Sequence, residues 1–327
     1  MAILNLLDLQ PTVISRDLRD KYILLYGLPK VGKTSFAAQC PNNLIFCFEK
    51  GVNFQSGVYA ADVPRWQDFK ALLKQLERDE LKEKFHTVTI DTVSIAWNLC
   101  EQFICSQNNV KTIGDIPWGR GYALLKDEFA NALRQISMMG YGIILITHAK
   151  SRLEKIDDDT TVEVVAPNIP ERAQDIVNAL VDIIGYIDVR YTNDSGETER
   201  TLVTRGTPTI VAGSRLRYLA PRIPFGYQEL VNAIGEAIEK EQQNGATVVD
   251  KSQRQSVIIK RPFAETVAEA QELWERIVGT GDEASPEKAT AVMDKVEDIF
   301  GTSMRLSEIP ESKQDLFEIL IEEMRHM

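Results

Sequence analysis

The sequence predicts an α/β fold, a mainly parallel sheet flanked by helices, followed by a small all-helical C-terminal module. Five apolar runs rich in β-branched and aromatic residues have strand length, and several do not alternate, as expected of strands covered on both faces. Helical stretches with one apolar face lie between them. A glycine-containing octapeptide joins the first run to the first helix.

The expected strands are Tyr22–Tyr26 (YILLY), Leu44–Phe48 (LIFCF), Thr87–Ile90, Ile143–Ile146 and Ile183–Val189. The first helix opens at Thr34 and runs to Gln39. The stretch Trp66–Glu83 carries Phe69, Leu72, Leu73 and Leu76 on one face, and Tyr122–Met138 carries Leu124, Leu125, Phe129, Leu133 and Ile136 at helical spacing. A polar stretch from about Glu239 to Ser256 reads as a linker, giving a core at 1–240, a linker at 241–260 and a module at 261–327. Three helices are expected in the module: Ala264–Val278, Pro286–Phe300 and Glu311–His326. Pro286 and Pro310 stand at helix starts, and Gly279 and Gly301 just past helix ends.

Composition narrows the class. Hydrophobic residues make up 44% and charged residues 26%, an ordinary globular balance. No apolar run is long enough to span a bilayer. The N-terminus lacks a basic region leading into an apolar core, so a cytoplasmic protein with no membrane partner is expected. The cysteines Cys40, Cys47, Cys100 and Cys105 form no CxxC pair, which argues against a zinc site or a disulfide framework. The net charge is −11 and is unevenly spread: residues 246–327 carry 10 Lys and Arg against 17 Asp and Glu, leaving the rest near −4. That excludes a generally basic surface but not a local basic groove.

Gly27-Leu28-Pro29-Lys30-Val31-Gly32-Lys33-Thr34 matches the phosphate-binding pattern GxxxxGK[ST], and Ser35 follows it. Each fixed position has a physical reason. The glycines let successive backbone N–H groups point into one anion nest. The helix beginning near Gly32 adds its positive end. Lys33 brings a cation to the β- and γ-phosphates, and the Thr34 hydroxyl holds Mg²⁺. Because the motif follows a strand and precedes an apolar helix, the expected ligands are ATP and Mg²⁺.

Three further residues stand at strand ends. Asp91 closes His86-Thr87-Val88-Thr89-Ile90-Asp91, where it can hold the metal's water shell or merely cap the next helix. Glu49 follows LIFCF and can orient an attacking water, or can be a solvated glutamate beside Lys50. His148 follows GIILIT and can sense the γ-phosphate, or serve a structural role.

GLPKVGKTS, the strand leading to Glu49, TVTIDT, WGRGYALLKDEF and IILITHAK, in this order, resemble phage-encoded RecA-type ATPases associated with single-strand annealing and recombination. The resemblance covers roughly Lys21 to Ile234. It implies a RecA-like P-loop NTPase fold, with Glu49 as catalytic glutamate and His148 as γ-phosphate sensor. RecA-fold relatives carry a Lys-x-Arg pair that reaches the neighbouring subunit's ATP. This chain has Arg215-Leu216-Arg217, so arginine replaces the lysine, a partial match. A role in trans implies a homo-oligomer, ring or filament.

In RecA-type proteins, loops after the helix that follows the Asp91-type strand and after the sensor strand contact single-stranded DNA. Here they fall near Ser106–Tyr122 and Ala149–Arg172. The first holds Lys111, Trp118, Arg120 and Tyr122, cations and aromatics suited to backbone neutralisation and base stacking. The second holds Lys150, Arg152 and Lys155 before an acidic tip, Asp157-Asp158-Asp159. Trp118 and Tyr122 can equally be core anchors. The apolar faces of the C-terminal helices either pack on each other or meet a partner such as a single-strand-binding protein. The expected function is a DNA-stimulated ATPase in phage recombination or annealing. A helicase loader or replication ATPase, and a nucleotide switch without turnover, remain alternatives.

Overall fold

The computed structural model describes residues 2–3, 13–53, 55–155, 161–191, 198–250, 258–259, 263–279 and 284–325. It divides into two units, Val13–Gln253 and Met1–Thr12 with Arg254–Met327. The strands, in chain order, are β1 (Ala2–Ile3), β2 (Ile14–Ser15), β3 (Tyr22–Gly27), β4 (Asn43–Cys47), β5 (Tyr59–Asp62), β6 (Thr87–Asp91) and β7 (Gly142–Lys155). They continue with β8 (Thr161–Pro167), β9 (Ile183–Tyr191), β10 (Thr198–Val203), β11 (Gly213–Ser214), β12 (Arg222–Pro224), β13 (Val248–Val249) and β14 (Ile258–Ile259). The helices are α1 (Lys33–Gln39), α2 (Trp66–Gln75), α3 (Asp79–Lys84), α4 (Val93–Gln107), α5 (Arg120–Met138), α6 (Glu171–Leu180), α7 (Tyr227–Gln243), α8 (Phe263–Val278), α9 (Pro286–Phe300) and α10 (Gln314–Arg325).

In the larger unit, β5, β4, β6, β7, β3 and β9 lie side by side and run parallel, and β10 and β12 extend the sheet antiparallel beyond β9. The five apolar runs are strands of this sheet. Successive residues of β3 feed opposite layers. Tyr22 and Leu24 enter the layer with Phe69, Trp97 and Phe129, whereas Ile23 and Leu25 enter the layer with Phe36, Ile234 and Ile238. Leu24 and Leu25 are both fully buried, each worth about 1.5–3 kcal/mol of transfer free energy. The chain is therefore apolar on both faces there, and alternation disappears.

Several sequence expectations need correction. The helix expected over Trp66–Glu83 is two helices; the break follows Leu76, whose carbonyl accepts the Tyr141 hydroxyl at 2.9 Å. The strand ending near His148 continues to Lys155 and returns as β8, so Ala149–Arg172 is a hairpin leading into α6, not an open loop. Its expected acidic tip, Asp157–Asp159, lies outside the described residues. The segment 241–260 is not plain linker: α7 runs to Gln243, and β13 pairs in parallel with β2.

In the smaller unit, β1 pairs with β14, and α8, α9 and α10 bury Leu273, Ile277, Val292, Val296, Phe300, Phe317, Leu320 and Ile321 together. The helical faces thus pack on each other. Ser285 caps α9 by accepting from the Lys288 amide, Pro286 takes the first position, and Gly301 closes the helix at φ 70°. The helix expected from Glu311 is a short 3₁₀ turn, Glu311–Lys313, followed by α10; His326 lies outside the described residues. Among the described residues, no helix is long and apolar enough to cross a membrane.

Candidate phosphate-binding site

The site forms at the carboxyl ends of β3, β4 and β6, beside His148 in the middle of β7, on the edge where open α/β sheets bind ligands. β3 ends at Gly27, and the chain turns through exposed Leu28, Pro29 and Lys30 before α1 begins at Lys33. Lys30 (φ 63°) and Gly32 (φ 104°) both take left-handed backbone. A side chain is strained at Gly32, and a Cβ there would stand 2.8 Å from Arg200 Nη1.

Lys33 is 6% exposed. Its ammonium donates to the carbonyls of Gly27 (3.1 Å) and Leu28 (2.8 Å) and stands 3.4 Å from His148 Nδ1. Burial lowers its pKa, opposed by the carboxylates of Asp91 and Glu49. Lysine offers only donors, so His148 Nδ1 is the acceptor and Nε2 carries the proton. That Nε2 lies 3.4 Å from Glu49 Oε1.

β6 delivers Asp91, 4% exposed, to the same edge. The Thr34 hydroxyl donates to Asp91 Oδ2 at 2.7 Å, and the backbone N–H groups of Phe48 and Glu49 donate to the Asp91 carbonyl. Burial raises the Asp91 pKa. The Glu49 carboxylate receives the Thr92 hydroxyl at 3.5 Å on its other oxygen. Glu49 therefore lies two residues past β4 yet within the site, between Thr92 and His148. His148 sits opposite Gly27 in the β3–β7 register, in mid-strand rather than at a strand end.

These residues fit a magnesium nucleotide. Because Thr34 gives its proton to Asp91, its lone pairs are left for a cation. A Cβ on Gly51 would come within 3.4 Å of Thr34 Oγ1 and 3.6 Å of Asp91 Oδ2, so the backbone after Glu49 borders that position closely. Among the described residues, no group of three or more His, Cys, Asp or Glu side chains can cage a metal. A hydroxyl with one nearby carboxylate suits Mg²⁺, which keeps waters and takes further oxygens from phosphate.

Four contributors escaped sequence reasoning. Gly51 borders Thr34 and Asp91, and Gln55 Nε2 donates to Ser35 Oγ at 3.0 Å. Arg200 donates to the Val31 carbonyl at 3.1 Å, and Phe225 stacks on Phe36 of α1 at 5.7 Å. Gly51 had one signal, its place just after Glu49; Arg200 and Phe225 lie in a region where no element was expected.

The remaining candidates lie elsewhere. Arg215 donates to Asp182 Oδ1 (3.1 Å) and to the Ala179 carbonyl (2.7 Å), while exposed Arg217 lies over Tyr218. Both follow β11, whose partners Ile183 and Ile184 begin β9, so they sit at the sheet edge opposite the phosphate loop. Lys111 and Arg120 are exposed, and Trp118 is 101% exposed on left-handed backbone (φ 61°), not a core anchor. Buried Ile113 and Ile116 anchor that loop instead. Tyr122 is half-buried, with the Arg172 guanidinium 3.9 Å from its ring centre, which joins the loop to the start of α6. On the hairpin, Lys150 donates to the Ile169 carbonyl at 3.3 Å and Arg152 pairs with Glu154 at 2.6 Å. Lys155 falls on the opposite face of the strand from both.

The family described as AAA domain matches residues 19–216. The SPbeta prophage-derived protein YorG of Bacillus subtilis (strain 168) is 24% identical over 339 residues, covering 100% of this chain and 99% of that protein. Among solved structures, a KaiC-like protein from the archaeon Pyrococcus horikoshii OT3 is 14% identical. That match covers 63% of this chain and 85% of that chain, at a TM-score of 0.35.

Proposed function

This chain belongs to the AAA-domain family, and we propose that it is a phage ATPase with a RecA-type core that acts on single-stranded DNA in recombination or annealing. The observation that supports the hydrolytic part is the convergence of Lys33, Thr34, Asp91, Glu49 and His148 beside the loop 27–34. Bound Mg²⁺–ATP supplies a polarised phosphoryl group open to in-line attack. Lys33 neutralises phosphate charge, and Thr34 with Asp91 holds the cation. Glu49 orients a water and takes its proton. His148 touches both Lys33 and Glu49, so a change at the phosphate end reaches the carboxylate through one imidazole.

The fully exposed Trp118 supports the DNA part, since an indole free of the core offers a face for base stacking. Arg120 and Lys111 add nearby cations. The prophage origin of YorG agrees with a phage setting. Arg217 serves a neighbouring subunit's phosphate site in this reading, which its position at the sheet edge away from its own phosphate loop supports, and the active form is then an oligomer. The C-terminal module, with Trp274 only half-buried, is the surface for a single-strand-binding protein.

A second reading, a nucleotide switch with negligible turnover, draws on the engagement of Glu49 by His148 and Thr92. ATP hydrolysis measured with and without single-stranded DNA separates the two. Magnesium-dependent turnover that rises with DNA is expected. ATP binding with no turnover in either condition assigns the switch, and absence of ATP binding sinks both.

A further inference from the structure

We infer that Arg200 is a positioning residue that fastens the crest of the phosphate-binding loop. The loop turns three carbonyls toward cationic donors. Those of Gly27 and Leu28 are held by Lys33, and that of Val31 is held by Arg200 Nη1 at 3.1 Å. The two cations differ in what else they must do. Lys33 is the group that meets phosphate, and an anion that draws its ammonium inward takes it off the Gly27 and Leu28 carbonyls. Among the described residues, Arg200 has no such second task, so Val31 stays held while Lys33 is engaged.

Arg200 is itself well placed for this. It lies on β10, paired in register with Val189 of β9, and its carbonyl accepts the Phe225 amide at 3.0 Å. Its guanidinium stands 5.7 Å from the Phe225 ring, which stacks on Phe36 of α1. The same Nη1 occupies the space beside Gly32 that a Cβ would enter. The crest is thus pinned from one side by a rigid strand, across 169 residues of sequence. That matters because Lys30, unlike the glycine at position 32, holds left-handed backbone at a steric cost, a conformation that persists in a non-glycine residue only where surroundings enforce it.

The functional consequence rests on the phosphate reading of the loop, and the test separates the two. Arg200→Ala and Arg200→Lys are compared with the parent chain by hydrogen exchange without nucleotide and by equilibrium binding of ADP at low and high salt. The Phe36 amide, which donates to the Gly32 carbonyl at 2.9 Å, reports on the crest. In Arg200→Ala its exchange quickens and ADP binds about tenfold more weakly at either salt, because a lost backbone fastening is not screened. Arg200→Lys recovers part of both, since an ammonium can still donate to one carbonyl. Unchanged Phe36 exchange with unchanged ADP affinity overturns the inference. So does a loss of affinity confined to low salt, which marks Arg200 as a long-range charge only. A parent chain that binds no ADP while Phe36 exchange still responds removes the phosphate reading and leaves the fastening intact.

Discussion

His148 Nε2 lies 3.4 Å from Glu49 Oε1, and the opposite nitrogen of the same ring lies 3.4 Å from Lys33 Nζ. One side chain on the central strand β7 therefore touches both the phosphate-loop lysine and the carboxylate that the proposed mechanism makes the base. Glu49→Gln keeps nucleotide affinity and lowers turnover by roughly 10²–10⁴-fold, the usual range for a positioned base. His148→Ala keeps affinity too but leaves Glu49 unguided, with turnover falling about 10–100-fold. The double variant is no slower than Glu49→Gln alone, because groups acting as one unit do not add. Steady-state hydrolysis of the three variants checks this, and additive losses would separate His148 from Glu49.

Lys33→Ala removes the donor that spans the Gly27 and Leu28 carbonyls and is itself 94% withdrawn from solvent. Nucleotide affinity falls at least about 100-fold, as expected when a charge-assisted contact and the loop it braces go together. Titration with a fluorescent ADP reads it. Affinity equal to the parent chain contradicts the assignment of residues 27–34.

Asp91 offers a stability test with a definite sign. Burial pushes its carboxyl above the usual carboxylate range, against the Thr34 hydrogen bond, which pulls it down. A raised folded-state pKa means stability that is full below the unfolded value, about 4, and is lost as pH rises through the folded value. Once the pH exceeds its folded-state value, the buried, ionised Asp91 is therefore a burden. Asp91→Asn keeps an acceptor for Thr34 and raises the melting temperature at pH 7 by a few degrees, about 1 kcal/mol. The gain shrinks below about pH 4, where Asp91 is protonated anyway, and turnover is lost. Calorimetry across pH reads the effect; a variant less stable than the parent at pH 7 contradicts it.

The phosphate loop was legible because its strand is buried on both faces and its chemistry is local to eight residues. The α7 helix was not. Its core face is Leu230, Ala233, Ile234, Ala237 and Ile238, where small alanines weaken the pattern, and its polar last turn reads as linker. The β7–β8 hairpin escaped for a different reason. Beyond His148 the strand stands in solvent, so Lys150–Lys155 has no buried face to impose a period of two. Arg200 was invisible in principle, since its partner Val31 is set by the sheet rather than by any spacing.

Trp118 tests the DNA reading. Its backbone is left-handed and its side chain touches solvent only, so the fold gains nothing from the indole and bears the strain. Trp118→Gly keeps or slightly raises the melting temperature, because glycine accepts this backbone freely. It weakens single-stranded DNA binding by roughly 5–150-fold, the value of one stacked base. Binding is followed by fluorescence anisotropy of a labelled oligonucleotide at fixed salt. Unchanged affinity removes Trp118 from the interface, and a marked loss of stability assigns it to the fold.

The arginine pair separates a structural role from one between subunits. Arg215 is committed within its own chain, to Asp182 and to the last turn of α6. With its side chain largely exposed, that ion pair is worth only about 0–1 kcal/mol. Arg215→Ala should lower stability slightly. Arg217 has no ion pair among the described contacts and lies at the sheet edge opposite the phosphate loop, roughly 13 Å along β3 at 3.3 Å per residue. An arginine there cannot reach the phosphates of its own subunit, so Arg217→Ala leaves nucleotide affinity and melting temperature unchanged. If it completes a neighbour's site, hydrolysis falls by about 10³-fold or more, on the order of the effect of a trans-acting arginine. Mixing then decides the matter. Lys33→Ala chains retain Arg217 and lack a working phosphate loop, whereas Arg217→Ala chains have the reverse defect. Each is inactive alone, and a mixed assembly regains activity at those interfaces where an intact loop faces an intact Arg217. Full activity of Arg217→Ala alone, or no recovery on mixing, places catalysis within a single chain.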